Sequence, residues 1–220
     1  MGIVVLLRHG QGSLGTDDYD NLTALGREQA RRAGRRLAAA GLSFERVVCG
    51  TLRRQRDTAV VAMTELALST DELGVDARLD EYDHQAVLAR HRSGISFADA
   101  PDPARTGPAL QSALDESIAA WMAEDATDAK SHAGFVARVH SVLDELTAAP
   151  GNTLAVTSGG VIAVMGAQLL GLDVGRWPDL ARVSVNAGLT KVVTGRSGRN
   201  LLTFNDHAHL ESDRALITYR

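Results

Sequence analysis

His9 is the residue whose type and setting point most directly to chemistry. It sits in Arg8-His9-Gly10-Gln11-Gly12, directly after the apolar run Ile3-Val4-Val5-Leu6-Leu7. A neutral imidazole can attack phosphorus and hold it as a covalent phosphohistidine, which splits one hard transfer into two easier ones. Arg8 offers a planar fork of N–H donors suited to phosphate oxygens, and Gly10 allows a close backbone approach. An Arg-His-Gly tripeptide alone arises often by chance, and its place at the end of a buried strand is what gives it weight. Two further apolar runs stop in small or polar loops, at Gly50-Thr51 and at Ser158-Gly159-Gly160. Ligands of open α/β sheets bind at the carboxyl ends of the strands, so three such loops argue for one site.

The elements that must carry these loops are legible in the pattern. Ile3 to Leu7 reads as a buried parallel-type strand. Asp17 to Asn21 is a polar connector. Thr23 reads as the N-cap of an amphipathic helix from Leu25 to Ala40 that stops at Gly41, with the arginines at 27, 31, 32, 35 and 36 on its solvated face. Arg46 to Cys49 is a short strand, followed by a helix over about 52–68. Ser93 to Pro108, with three prolines and two glycines, reads as irregular. Helices are expected near 109–124 and 131–148. Thr153 to Thr157 is a third apolar strand, followed by a helix over about 161–170 that closes at Gly171. Leu189 to Val193 and Leu201 to Phe204 form a hairpin about Gly195-Arg196-Ser197-Gly198. The order implies an α/β fold.

The 220 residues carry a net charge of −4 and are 45% apolar. That length suits one domain spanning 1–220, and the mild acidity gives no sign of a nucleic-acid partner. Lys130 and Lys191 are the only lysines among 23 basic residues, so arginine is too abundant for each one to be a ligand. Cys49 is the single cysteine, which precludes an internal disulfide and points to a reducing cytoplasm; it reads as buried filler. The N-terminal apolar run is too short for a membrane span or a signal peptide.

These motifs together resemble the histidine phosphatase (phosphoglycerate-mutase-like) superfamily, with Arg8-His9-Gly10-Gln11 as its signature. Leu22-Thr23, Gly26 and Gln29-Ala30 are similar to the family's first helix. Leu52, Arg54 and Thr58-Ala59 resemble its second motif, and Leu79-Asp80-Glu81 its acidic motif. Ala155 to Ile162 resembles its fourth motif, and Asn205-Asp206 with His209-Leu210 its closing one. The resemblance implies a three-layer α/β/α fold with a mostly parallel central sheet and a small helical cap over about 84–130. It implies His9 as phosphoryl acceptor, Arg8 and Arg54 as phosphate clamps, and Glu81 as proton donor to the leaving oxygen. Gln11, Ser158 and Gly159 complete the expected phosphate site. It implies neither cofactor nor metal, a small-molecule phosphoester as partner, and it allows a homodimer.

The chain departs from the family at Ser158, where a second catalytic histidine is expected before Gly-Gly. Serine keeps a hydroxyl donor but is shorter and cannot be cationic. Past Glu81 the match thins to Tyr82-Asp83-His84-Gln85; His84, three residues after Glu81, has two readings, a pocket residue that compensates for Ser158 and, preferred, a surface histidine. His207 and His209 read as structural, and Trp121 and Trp177 as core or interface rather than substrate platforms. Three functions remain open: a phosphatase acting through His9, a non-catalytic phosphate-ligand or phosphoprotein binding module, and, last, a phosphoglycerate mutase.

Overall fold

The computed structural model describes residues 2–13, 20–91, 108–196 and 198–219. Six strands form one mixed sheet: β1 (Gly2–Arg8), β2 (Arg46–Cys49), β3 (Gly74–Val75), β4 (Thr153–Thr157), β5 (Leu189–Gly195) and β6 (Gly198–Asp206). Their order is β3-β2-β4-β1-β5-β6. The first four strands in that order run parallel, and β5 and β6 join antiparallel beside β1. Seven α-helices are seen among the described residues: α1 (Ala24–Ala39), α2 (Arg53–Glu65), α3 (His84–His91), α4 (Pro108–Met122), α5 (His132–Ala148), α6 (Gly159–Leu170) and α7 (Trp177–Arg182).

The three layers follow from the two-residue period of β1. Val5 and Leu7 point to one face, where they meet Ala33 and Leu37 of α1 and Ala59, Ala62 and Met63 of α2. Val4 and Leu6 point to the other, where they join Phe135, Val139 and Leu143 of α5 and Val161 to Met165 of α6. A strand covered on both faces is apolar throughout, which is why Ile3 to Leu7 carries no polar residue. From β1 the chain crosses one way, over α1, to β2; from β4 it crosses the other way, through α6 and α7, to β5. The carboxyl ends of β1 and β4 therefore bound the crevice at which such sheets bind ligands.

The strand cores expected from the sequence coincide with the observed ones. Thr23 caps α1 by accepting from Gly26 N–H, and Gly41 and Gly171 close their helices with φ of 67° and 65°. Beyond the expected elements stand β3, α3 and α7. The first is two exposed residues and the other two are eight and six residues long, too short to display a period. The connector at 14–19, most of the irregular stretch at 92–107, and Ser197 of the hairpin lie outside the described residues.

The α1 arginines are not merely solvated. Arg27 pairs with Asp57, and Arg31 and Arg35 with Glu65, so they stitch α1 to α2. Half-exposed pairs of this kind contribute only about 0–1 kcal/mol each. Cys49 is buried as expected, and burial pushes its thiol up to about 11, out of reach of thiolate chemistry at neutral pH.

Candidate active site

The loop after β1 is held at every turn by backbone and amide contacts. His9 N–H donates to Thr157 O at the end of β4, and His9 O accepts from Ala187 N–H and Asn186 Nδ2. Gly10 N–H donates to Thr58 Oγ1 on α2, and Gln11 N–H to Gln29 Oε1 on α1. Gly10 also has a packing reason. A Cβ there would lie 2.2 Å from Gly26 O, and one on Gly26 would lie 2.2 Å from Gln11 O. Gly10 and Gly26 thus let the loop lie backbone to backbone on the first turn of α1.

His9 has one protonation state that satisfies its neighbours. Nδ1 lies 2.7 Å from Gly10 O, which can only accept, and Nε2 lies 3.2 Å from Arg54 Nε, which can only donate. The ring is therefore neutral, with its proton on Nδ1 and a lone pair on Nε2. Burial, then the charges of Arg54 and Arg8, hold its pKa well below the usual imidazole value. That is the state a nucleophile requires.

Arg8 and Arg54 are both buried, and each is held by groups outside the expected motifs. Arg8 Nη1 donates to Ser184 O and, at 2.9 Å, to Tyr219 O. Arg54 Nη1 pairs with Asp20 at 2.6 Å, and Asp20 Oδ2 accepts from Arg53 N–H at 2.6 Å as well, so this carboxylate both starts α2 and aims its guanidinium. Arg53 and Arg56, the neighbours of Arg54, are exposed.

Glu81 lines the same cavity of about 250 Å³, together with Arg8, His9, Arg54, Gly159 and Gly160. Its Oε2 accepts from Gly160 N–H at 2.9 Å and its Oε1 from Tyr82 N–H at 3.2 Å. Burial raises its pKa and outweighs those bonds and the two arginines, which act the other way. Its acidic neighbours are committed elsewhere: Asp80 accepts from Thr51 N–H and Oγ1, and Asp83 Oδ1 accepts from Ala86 N–H in α3.

Two expected phosphate ligands do not reach the cavity wall. Ser158 is fully buried, makes no capping bond to α6, and its Oγ accepts from Gln55 Nε2 at 2.8 Å. Gln55 Nε2 also donates to Leu79 O, so the amide is anchored behind the site. Gln11 turns its Oε1 to Thr23 Oγ1, and Gly12 lines the cavity instead. The N–H of Gly160 is likewise spent on Glu81 rather than open to an anion.

One expectation is corrected. His84 is not a surface histidine but lines the cavity, half-buried, with its ring 4.1 Å from that of Tyr82. Strand periodicity could not show this, because the turn after Glu81 starts α3 at His84 itself. Trp177 is core, as expected, and also a cavity wall; its Nε1 donates to His132 Nε2. Trp121 is buried behind Tyr82. His207 and His209 lie off the cavity wall, on the carbonyls of Asn205 and Ala187, and burial lowers His209 to about 4. Asp20, Ser184, Asn186 and Tyr219 had no signal in the sequence beyond their polarity.

The profile of the histidine phosphatase superfamily (branch 1) matches residues 4–207. The chain belongs to the histidine phosphatase superfamily. A mycobacterial glucosyl-3-phosphoglycerate phosphatase has the same fold, with 27% identity, a TM-score of 0.63, and 94% of this chain and 99% of that one covered. A putative α-ribazole-5′-P phosphatase from Escherichia coli, at 20% identity and a TM-score of 0.66, covers 94% of this chain and 97% of its own, and shares the fold. A 2,3-bisphosphoglycerate-dependent phosphoglycerate mutase of Azorhizobium caulinodans is 39% identical over 104 residues, 44% of this chain and 48% of that protein. The mitochondrial serine/threonine-protein phosphatase Pgam5 of Drosophila persimilis is 37% identical over 65 residues, 29% of this chain. The match spans only 22% of that phosphatase's length.

Proposed function

We propose that this histidine phosphatase superfamily member hydrolyses a small phosphomonoester through a phosphohistidine on His9. The observation that carries the reading is the neutral Nδ1–H state of His9, whose Nε2 lone pair faces Arg54 inside a cavity shared with a carboxyl of raised pKa.

The phosphate takes over the N–H of Arg54 that His9 now holds, with Arg8 on its other oxygens. The Nε2 lone pair then attacks phosphorus in line. The P–O ester bond breaks, and the Glu81 proton passes to the departing oxygen to give the alcohol. Water attacks the phosphohistidine next and gives its proton to the Glu81 carboxylate. The P–N bond breaks, its electron pair returns to Nε2, and inorganic phosphate leaves. The arginines supply the positive charge, so the scheme has no metal step.

Tyr82, Leu114, Ile118, Trp177, Pro178 and Ala181 form an apolar side of the cavity, beside the polar His84, Gln111, Asp115 and Arg182. This wall favours a leaving group with an apolar face, and α3 and α4 act as the cap that sets the choice. The second reading, a phosphate-ligand binding module, is favoured by Ser158, since one missing transition-state donor costs roughly 10²–10³ in rate. The phosphoglycerate mutase reading stands last, because it requires a protected phosphohistidine that returns its phosphate to the substrate.

The test is phosphate release from a panel of small phosphoesters by the native protein and by His9→Ala, with EDTA present. Release that is lost in His9→Ala supports the reading. No release from any ester, with phosphate or vanadate still bound, turns the weight to a binding module; activity abolished by EDTA and restored by Mg²⁺ sinks the metal-free scheme.

A further inference from the structure

Resting on the phosphatase reading above, in which Glu81 protonates the leaving oxygen, we propose that Arg138 of α5 is the positioning residue for that acid. It clamps the backbone that leads into Glu81 and so sets where the carboxyl proton is delivered.

The carbonyls just before Glu81 are held by side chains of three other elements. Arg138 Nη1 donates to Asp80 O at 2.7 Å, to Arg78 O at 2.8 Å and, more weakly, to Ala77 O at 3.3 Å. Leu79 O accepts instead from Thr157 Oγ1 of β4 at 2.6 Å and from Gln55 Nε2 of α2 at 2.9 Å. Four consecutive carbonyls are thereby taken, three of them by one guanidinium. Asp80 O belongs to the planar peptide unit that ends at Glu81 N, so its bond to Arg138 fixes the plane from which the acid departs.

Phe135 lies three residues before Arg138 and so on the same face of α5. The guanidinium rests on its ring, with Cζ 5.1 Å from the centroid. The same ring meets that of Tyr82 edge-on, with centroids 5.6 Å apart. Arg138 thus holds the residue before Glu81 and Phe135 packs the residue after it, so one turn of α5 brackets the acid. Burial pulls the Arg138 pKa down, and the three carbonyls and the ring face offset the cost of keeping the cation there. Arg138 lies off the cavity wall. It touches no reacting atom and takes no proton, and its effect on the reaction passes through Glu81.

The experiment compares the native protein with Arg138→Met, Arg138→Gln and Arg138→Lys on an alkyl phosphate and on p-nitrophenyl phosphate, with orthovanadate for binding. It repeats Arg138→Met in Glu81→Gln. An alkoxide needs a proton as it leaves, and p-nitrophenolate scarcely does. Arg138→Met is expected to lose about tenfold in kcat on the alkyl phosphate, and to stay within about threefold on p-nitrophenyl phosphate and in vanadate affinity. Arg138→Lys, which keeps the charge and an N–H donor, recovers part of the loss. In Glu81→Gln the same Arg138→Met change has little further effect on the alkyl phosphate, because the two residues act as one unit. Equal losses on both esters, or losses that simply add in the double variant, would overturn the proposal. If Arg138→Met does not fold, Arg138→Gln, whose amide is too short to span the carbonyls, decides on the same readouts. If the native protein hydrolyses no ester, the phosphatase reading fails separately. The crystal structure of the folded variant then decides whether Arg138 places Glu81: a carboxyl swung off Gly160 N–H supports the placement, and an unchanged bond refutes it.

Discussion

His9 and Glu81 meet the same buried environment with opposite results. Burial disfavours the charged form of each, so it lowers the histidine and raises the carboxyl. The two shifts move the acid and the base toward the states the reaction needs, neutral imidazole and protonated carboxyl. The rate rises with pH as His9 loses its proton and falls again as Glu81 loses its own. The acid limb of kcat/KM is expected below pH 6.5, because the His9 value lies below that of a free imidazole, and the basic limb above pH 4.5. In Glu81→Gln the basic limb should vanish. Its kcat should drop by about 10²–10⁴ on an alkyl phosphate and by less on p-nitrophenyl phosphate, whose leaving group needs little protonation. A basic limb that survives in Glu81→Gln would assign the acid role to another group. Asp20 belongs to the same scale. Its carboxylate anchors Arg54 Nη1, and a clamp that loses its aim loses orientation more than charge. Asp20→Ala is expected to lower kcat/KM by about tenfold, read by steady-state hydrolysis; an unchanged value would mean that Arg54 is aimed without it.

At the scale of elements, the site depends on helix ends that press on loops. The first turn of α6 carries Gly160 against the Glu81 carboxyl, and a Cβ there would fall 2.4 Å from Oε1. Gly160→Ala should displace the acid and reduce kcat, while the melting temperature falls only a little, because a side chain can yield where backbone cannot. Gly26 is the contrasting case, since its Cβ would meet the backbone of Gln11. Gly26→Ala forces α1 and the His9 loop apart and should cost about 1–3 kcal/mol of stability, measured by denaturant unfolding. Equal stability with the native protein would show that the loop can slide on α1.

The whole molecule brings together residues from both ends of the chain. Arg8 is held by the carbonyls of Ser184 and Tyr219, Gln29 of α1 donates to Leu216 O and Thr218 Oγ1, and Asn186 N–H bonds Thr218 O. The apolar side of the cavity is continuous with the core through Trp177, which is 1% exposed and yet forms part of the wall. Trp177→Ala is expected to destabilise the protein by about 3–5 kcal/mol and to weaken binding of esters with an apolar leaving group more than binding of free phosphate. Thermal melting and competition by phosphate would show both, and a loss confined to stability would remove Trp177 from the substrate wall.

Among the described residues no helix is long and apolar enough to cross a membrane. What the sequence by itself determined was whatever depends on near neighbours in the chain. β1 is apolar because both its faces are covered, α1 starts at Thr23 and ends before Gly41, and Arg8, His9, Arg54 and Glu81 stand at strand or helix ends. Only the tertiary structure decided which side chains share the cavity. Ser158 and Gly159 are adjacent in the chain, yet one turns back to Gln55 while the other faces the cavity. The spacing of His84 from Glu81 left both a pocket and a surface position open, and the ring of Tyr82, packed against Trp121 and Trp177, is the contact beside which it lines the cavity. Asp20, Ser184 and Tyr219 reach the arginines from 34, 176 and 211 residues away. Contacts at such separations leave no period or spacing in the sequence, since they are set by the crossing of β1 and β4 in opposite directions and by the packing that follows.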